Sequence, residues 1–168
     1  MDFSFAQLAK SHDRSGFRCG ESALDDWFLK RAGQDERRNI ARVFVALDDD
    51  ARVAGFYSLS AFTLELDQVP EAIAAKLPRY DKIPAALIGR LARDERFRGQ
   101  GIGELLVADA ITRILAAAQE LAVFAIVVDA KNEAASAFYR SFGFVSFPVH
   151  PERLFMLTST AIAAFGKR

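Results

Sequence analysis

Apolar and polar positions change their period several times along this chain, and each change marks an element. Phe3 to Leu8 suits a first strand or an extended lead-in. Leu24, Trp27, Phe28 and Ala32 then recur at helical spacing and predict a helix that buries one face. Ser22 has an N-cap side chain, and Asp25 stands at the capping-box position. The opposite face carries Lys30, Arg31, Arg37 and Arg38, with Arg42 just beyond. Arg42 to Leu47 reads as a strand through Val43, Phe44 and Val45. Asp48-Asp49-Asp50 reads as a turn, and Arg52 to Leu66 as a second, long and aromatic strand. Two such runs across a short acidic turn predict an antiparallel hairpin.

Glu71 to Leu77 is a short helix, begun by Pro70 and stopped by Pro78. Pro84 opens the next strand, expected over Ala86 to Arg93. From Gly103 to Leu121 the period is helical, with Leu106, Ala110, Ile114 and Ala117 along one face. Ala122 to Asp129 is a nearly unbroken apolar run, which suits a strand buried on both faces and parallel to the one ending near Arg93. Asn132 caps a helix running to Phe142, and Gly143 fits a left-handed end to it. Phe144 to Val149 and Leu154 to Thr160 predict a closing antiparallel pair across His150 to Arg153. The order β-α-β-β-α-β-α-β-α-β-β describes an α/β (α+β) chain. Its mixed central sheet is antiparallel at both ends, parallel in the centre and flanked by helices. No repeat or low-complexity linker interrupts the pattern, so one domain over residues 1–168 is expected.

Charge narrows the choice of partners. The 22 basic residues balance 22 acidic ones, so only a local patch could hold a nucleic acid. Lys30, Arg31, Arg37, Arg38 and Arg42 form one candidate; Arg90, Arg93 and Arg96 form another. Asp35, Glu36, Asp94 and Glu95 lie beside them, so self-paired surfaces are the competing reading. Cys19 is the single cysteine, which leaves no disulfide framework and no Cys-rich metal site; no metal is expected. Neither a signal peptide nor a membrane span is visible, so the expectation is a soluble cytoplasmic protein.

The chemistry gathers at Arg98-Gly99-Gln100-Gly101-Ile102-Gly103, between a strand and a helix start. Three alternate glycines permit a tight turn, and the helix adds unpaired N–H groups and its positive dipole end. Together they make a seat for phosphate oxygens. A Walker loop is excluded, because Glu104 follows where Lys and Ser or Thr are needed. The Gly-x-Gly-x-Gly spacing also differs from the dinucleotide Gly-x-Gly-x-x-Gly.

Arg98-x-x-Gly101-x-Gly103 instead resembles the pyrophosphate loop of the GNAT (GCN5-related) N-acetyltransferases. Asn132-x-x-Ala135-x-x-Phe138-Tyr139-x-x-Phe142-Gly143-Phe144 resembles the closing motif of the same enzymes. Three further stretches, Phe17 to Trp27, Gly55 to Leu59 and Leu87 to Ala92, resemble the acetyltransferase toxins of bacterial type II toxin–antitoxin systems. The resemblance covers nearly the whole chain. It implies the GNAT acyl-CoA N-acyltransferase fold, acetyl-CoA as co-substrate, and acetylation of the α-amino group of aminoacyl-tRNA, which blocks translation. It also implies a ribbon-helix-helix antitoxin as partner. The apolar segments Phe144–Phe147 and Leu154–Leu157 then read either as a homodimer face or as the monomer's core.

Residue roles follow from the same resemblance. The N–H groups of Gly99, Gln100, Gly101, Ile102 and Gly103 would hold the pyrophosphate, with Arg98 adding charge. Leu91, Ala92 and Arg93 would offer main-chain groups to the pantetheine, as one more strand would. Asn132 and Phe138 would contact the coenzyme, and Tyr139 would return a proton to the leaving thiolate. Lys30, Arg31, Arg37, Arg38, Arg42, Arg90 and Arg96 are the candidate tRNA contacts. Arg93 departs from the family's usual apolar residue, and Asn132 stands where these toxins often have an acid.

His12 and His150 lie outside the motifs, so no general base is evident. Neutralising a lysine amine of pKa about 10.4 at pH 7 costs roughly 4–5 kcal/mol, against about 1 for an α-amine near 7.8. A site without a strong base therefore suits an α-amine. The alternatives are an acetyltransferase for a small amine or a protein N-terminus, and a non-catalytic acyl-CoA-binding module.

Overall fold

Val43 to Ala46 and Val53 to Ser58 are buried without alternation, so this part of the first hairpin is covered on both faces. In the computed structural model, which describes residues 2–77 and 80–166, β1 (Ser4–Gln7) pairs antiparallel with β2 (Arg42–Leu47). β2 pairs in turn with β3 (Val53–Glu65) across the acidic turn. Asp48 organises that turn: its Oδ1 accepts from the N–H groups of Asp50 and Arg52, and its Oδ2 from Arg52 Nε at 2.8 Å.

The helix expected from Ser22 is two helices, α1 (Ser22–Lys30) and α2 (Ala32–Arg37), with the break at Arg31. Ser22 lies inside α1. The cap position belongs to Glu21, which makes no side-chain cap bond, and Asp25 accepts from the Cys19 N–H at 2.9 Å instead of closing a capping box. Arg31 leaves helical geometry (φ −122°, ψ −23°), and both flanking turns keep their apolar residues inside, with Phe28 and Ala32 at 0% exposure.

After Pro70 comes α3 (Glu71–Ala74), one turn long; the expected stop at Pro78 lies outside the described residues. β4 (Lys82–Arg93) starts earlier than expected and holds Pro84 within it, whose carbonyl accepts from Phe124 N at 2.9 Å. α4 (Ile102–Ala117) ends one turn sooner than its period suggested. β5 (Ala125–Asp129) is the buried core of the predicted apolar run. α5 (Glu133–Ser141) begins on its Asn132 cap, with Oδ1 accepting from Ala135 N at 2.8 Å, and Gly143 takes φ +105° after it.

The closing pair differs from expectation. β6 (Val145–Ser146) is two residues, β7 (Arg153–Leu157) stops early, and α6 (Thr158–Phe165) replaces the predicted strand end. Thr158 N donates to Phe124 O, which turns the chain, and Ala161 is then fully buried, so packing overrides the β preference of Thr158-Ser159-Thr160.

The strands form one seven-stranded sheet in the order β1-β2-β3-β4-β5-β7-β6. β4 and β5 are parallel over Ala85–Ile88 and Ala125–Val128, and β5–β7 and β7–β6 are antiparallel. By Cα proximity the chain divides into two compact units, Met1–Ser60 with Gly89–Ala110, and Ala61–Ile88 with Ile111–Arg168. The core of the first includes Phe17, Trp27, Phe28, Val43, Val45 and Phe56, with Phe28 stacked on Phe56 at 4.1 Å. That of the second includes Leu64, Ile83, Ala125, Val127, Phe147 and Phe155. Phe144, Leu154 and Met156 are also buried within the single chain, whereas Val145 is 54% exposed. No helix among the described residues is long and apolar enough to cross a membrane.

Candidate active site

In the first unit, β4 leads into a short 3-10 turn, Glu95–Phe97, and then into the glycine loop. Asp94 anchors this passage. Its carboxylate is 1% exposed and accepts from the Arg96 side chain at 2.9 and 3.0 Å, from Arg96 N at 2.8 Å and from Arg18 N at 3.2 Å. Burial pushes the Asp94 carboxyl up, but these bonds outweigh it and hold it below the ordinary carboxylate range. Arg96, a candidate tRNA contact, is thus spent largely on holding the loop's approach.

Gly99 (φ +79°) and Gly101 (φ +75°) occupy the left-handed region, which side chains rarely enter. A Cβ at Gly99 would meet nothing within 4 Å, and one at Gly101 only Glu104 Oε2 at 3.7 Å. Space therefore lies in front of the loop. α4 starts at Ile102, so its first N–H groups have no partner within the helix. Glu104 brings a negative charge to the first turn. The loop's hold on an anion accordingly rests on main-chain donors and on Arg98, which is exposed.

Behind the loop, Gly55 of β3 makes room for α4. A Cβ there would stand 2.9 Å from Leu106 Cδ1, 3.0 Å from Ala92 O and 3.1 Å from Ile102 Cγ2. Along β4, Arg90 N donates to Ser58 Oγ at 3.0 Å and Asp94 N to Ala54 O at 2.9 Å, both on the β3 side. Strand alternation then directs the main-chain groups of Leu91 and Arg93 to the opposite edge. Ala92 is buried, and Arg93 is half-buried with its Nε enclosed and without an acceptor among the described residues. An extended, amide-bearing arm and a diphosphate suit these donors.

The basic candidates divide. Lys30 pairs with Asp26 at 3.7 Å, and Arg42 pairs with Glu36 at 2.6 Å. Arg37 is close enough to Arg14 for their like charges to interact, and Arg38 ends α2. Arg31 and Arg90 line one cavity together with Trp27.

In the second unit, Tyr139 is 6% exposed and packs edge-on against Phe138 (5.5 Å) and Phe144 (5.9 Å). Burial, and then the Asp129 carboxylate, push its phenol up to about 12. Asp129 is held by Arg153 Nε at 2.8 Å. Asn132 spends its oxygen on the α5 cap, which leaves its amide N–H₂ for a ligand. His12 accepts from Ala9 N through Nδ1, and exposed His150 sits on the β6–β7 turn beside Glu152, so each is occupied locally. No group of three or more His, Cys, Asp or Glu among the described residues could hold a metal ion. The roles of Gly55 and Asp129 were not legible in the sequence, because each acts through partners distant in the chain; at Asp94 only the bond from Arg18 N is of that kind.

A family profile described as an acetyltransferase (GNAT) domain matches residues 39–146. A curated relative from Mycobacterium tuberculosis, named tRNA-acetylating toxin, is 35% identical over 160 residues, covering 95% of each chain. Among solved structures, a tyrosine-to-phenylalanine mutant of KacT superposes with a TM-score of 0.91 at 30% identity, over 98% of this chain and 100% of that one. AtaT complexed with acetyl-methionyl-tRNAfMet gives 0.89 at 29% identity, over 98% and 99%. AtaT has also been solved with the C-terminus of the antitoxin AtaR, and AtaTR with acetyl-CoA bound.

Proposed function

Because this chain belongs to the GNAT acetyltransferase family, we propose that it is a toxin that moves acetyl from acetyl-CoA to the α-amino group of an aminoacyl-tRNA and so blocks translation. The observation that carries this reading is the 95% mutual coverage with a tRNA-acetylating toxin, a likeness that leaves no room for a different architecture. The working place is the cytoplasm, where charged tRNA is found. An antitoxin of the kind AtaT binds is the natural partner.

Each residue then has a task. The amides of Gly99, Gln100, Gly101, Ile102 and Gly103, with Arg98, hold the diphosphate; Leu91 and Arg93 extend main-chain groups toward the pantetheine arm, and Ala92 holds that strand in the core. Phe138 and the Asn132 amide contact the arm. The thioester supplies an activated acetyl group, and the α-amine needs little help to be neutral, which fits the absence of a strong base.

Tyr139 holds the proton that the departing thiolate takes. With its phenol near 12, it stays protonated throughout the neutral range. Against a free thiol of about 8.5, the transfer is uphill by roughly 3–4 pKa units. A thiolate in an equally dry setting is also more basic, so the gap narrows there.

Expression of the chain without an antitoxin is expected to arrest bacterial growth. Tyr139→Phe should relieve the arrest and lower kcat by about 10²–10⁴, with acetyl-CoA affinity unchanged in a calorimetric titration. Rapid acetylation of free amines with no transfer to charged tRNA would favour the small-amine alternative. Tight acetyl-CoA binding with no transfer to any acceptor would leave only a binding module.

A further inference from the structure

The break between α1 and α2 creates a feature that the acetyl-CoA machinery does not use. Ala23, Leu24, Asp26, Trp27, Arg31 and Arg90 line a cavity of about 390 Å³, wholly within the first unit. That is within the range of small-ligand sites, roughly 300–1,000 Å³, and too small for the face of a duplex.

Its construction is specific. Trp27 is 4% exposed, and its Nε1–H donates to Asp35 Oδ2 at 2.9 Å, which fixes the ring plane. The Arg90 guanidinium carbon lies 4.3 Å from the centre of that ring. Arg90 itself remains exposed. A planar cation therefore lies over the face of a fixed indole and stays accessible to solvent.

Arg31 adds a second guanidinium at the helix break. Among the described residues no carboxylate pairs with either arginine within 4 Å. Asp26 pairs with Lys30, and Asp35 accepts from Trp27, so the nearby acids are engaged elsewhere. Burial, rather than a partner, is the main influence on Arg90 and depresses its pKa; Asp35 opposes this and Arg31 adds to it.

A planar cation over an indole, beside a second positive charge and the apolar side chains of Ala23 and Leu24, matches one ligand chemistry. It suits an unpaired nucleobase carrying a phosphate. We infer that this cavity binds a terminal, single-stranded nucleotide of the RNA acceptor, with its base stacked on Arg90 and its phosphate on Arg31. The inference rests on the acceptor being RNA, as proposed above, and assigns the contact to an unpaired end. Lys30 and Arg42, with their own carboxylate partners, are then secondary.

A single-stranded RNA trinucleotide with 2-aminopurine at its 3′ end is the probe, because stacking quenches its fluorescence. Titration into the intact protein should quench it. Arg90→Lys keeps the charge and loses the plane; it should abolish the quench and weaken binding about tenfold. Arg31→Gln should keep the quench while lowering the slope of log Kd against log salt by about 0.7. Melting curves and acetyl-CoA titration, expected at wild-type values for both variants, report on the fold. If Arg90→Lys fails to fold, competition on the wild-type protein decides: adenosine monophosphate should displace the probe and a short RNA duplex should not.

Absence of quenching in the wild type, equal quenching with Arg90→Lys, or equal competition by the duplex would overturn the inference. Acetyl transfer to charged tRNA reads the other claim separately. Transfer without quenching removes the stacking site and leaves the enzyme; quenching without transfer supports the site and removes the toxin reading.

Discussion

Two helices in this chain start from loops of opposite make-up, an asparagine before α5 and glycines before α4, and the two ends behave differently in the structure. α5 satisfies itself: Asn132 Oδ1 takes the Ala135 N–H, so one donor at that end is closed. α4 opens from Gly99 and Gly101, which have no side chain to offer, onto space that no neighbour fills. A cap contributes about 1 kcal/mol of stability. Its omission at α4 leaves those N–H groups available to an outside anion, the role proposed for them, in which they would contribute binding instead of folding. One terminus is closed by its own chain, and the other is the end proposed to take the ligand.

The largest expected effect comes from placing an acid in the open terminus. Gly101→Asp puts a carboxylate where the diphosphate is proposed to sit and should weaken acetyl-CoA binding more than 100-fold by calorimetry. The chain should still melt cooperatively, because an aspartate tolerates φ +75° better than most residues do. Gly55→Ala is next. Its methyl would press on Leu106, Ile102 and the unyielding Ala92 carbonyl, which displaces the start of α4. Stability should fall by about 1–3 kcal/mol in urea titration, and acetyl-CoA affinity by about tenfold.

Asp94→Asn tests the anchor ahead of the loop and should cost about 2 kcal/mol. The wild-type carboxyl is held below its unfolded value, so its contribution is present above about pH 4 and is lost as pH falls through the folded value. The variant's melting temperature should therefore depend less on pH below about 4 than the wild type's does. Asn132→Ala gives the smallest effect, about 1 kcal/mol of stability from the lost cap and a loss of acetyl-CoA affinity of less than about tenfold from the lost amide contact. A large affinity loss at Asn132 would move that terminus from the first class to the second.

Legibility in the sequence followed the range of the deciding interaction. The hairpin of β2 and β3, the parallel placement of β5, the Asn132 cap and the left-handed Gly143 rest on local signals, and the structure has each of them. The break at Arg31 was not legible, because the Trp27–Asp35 bond that accompanies it joins side chains on two helices. α6 was not legible because its Thr158-Ser159-Thr160 start favours a strand, and burial of Ala161 overrides it. The tight, left-handed turn at Gly99 and Gly101 was readable from spacing alone. The pairing of Arg96 with neighbouring Asp94 was open to the sequence as a self-paired surface, whereas the raised phenol of Tyr139 required the packed environment.

The proposed diphosphate seat contains no lysine anywhere from Arg98 to Gly103. A catalyst of this kind lives in constant contact with a reactive acyl donor, and stray acylation of lysine amines strips their charge. Peptide nitrogens and a guanidinium offer no such target, so the proposed coenzyme grip would be built from groups that its own reagent cannot silence.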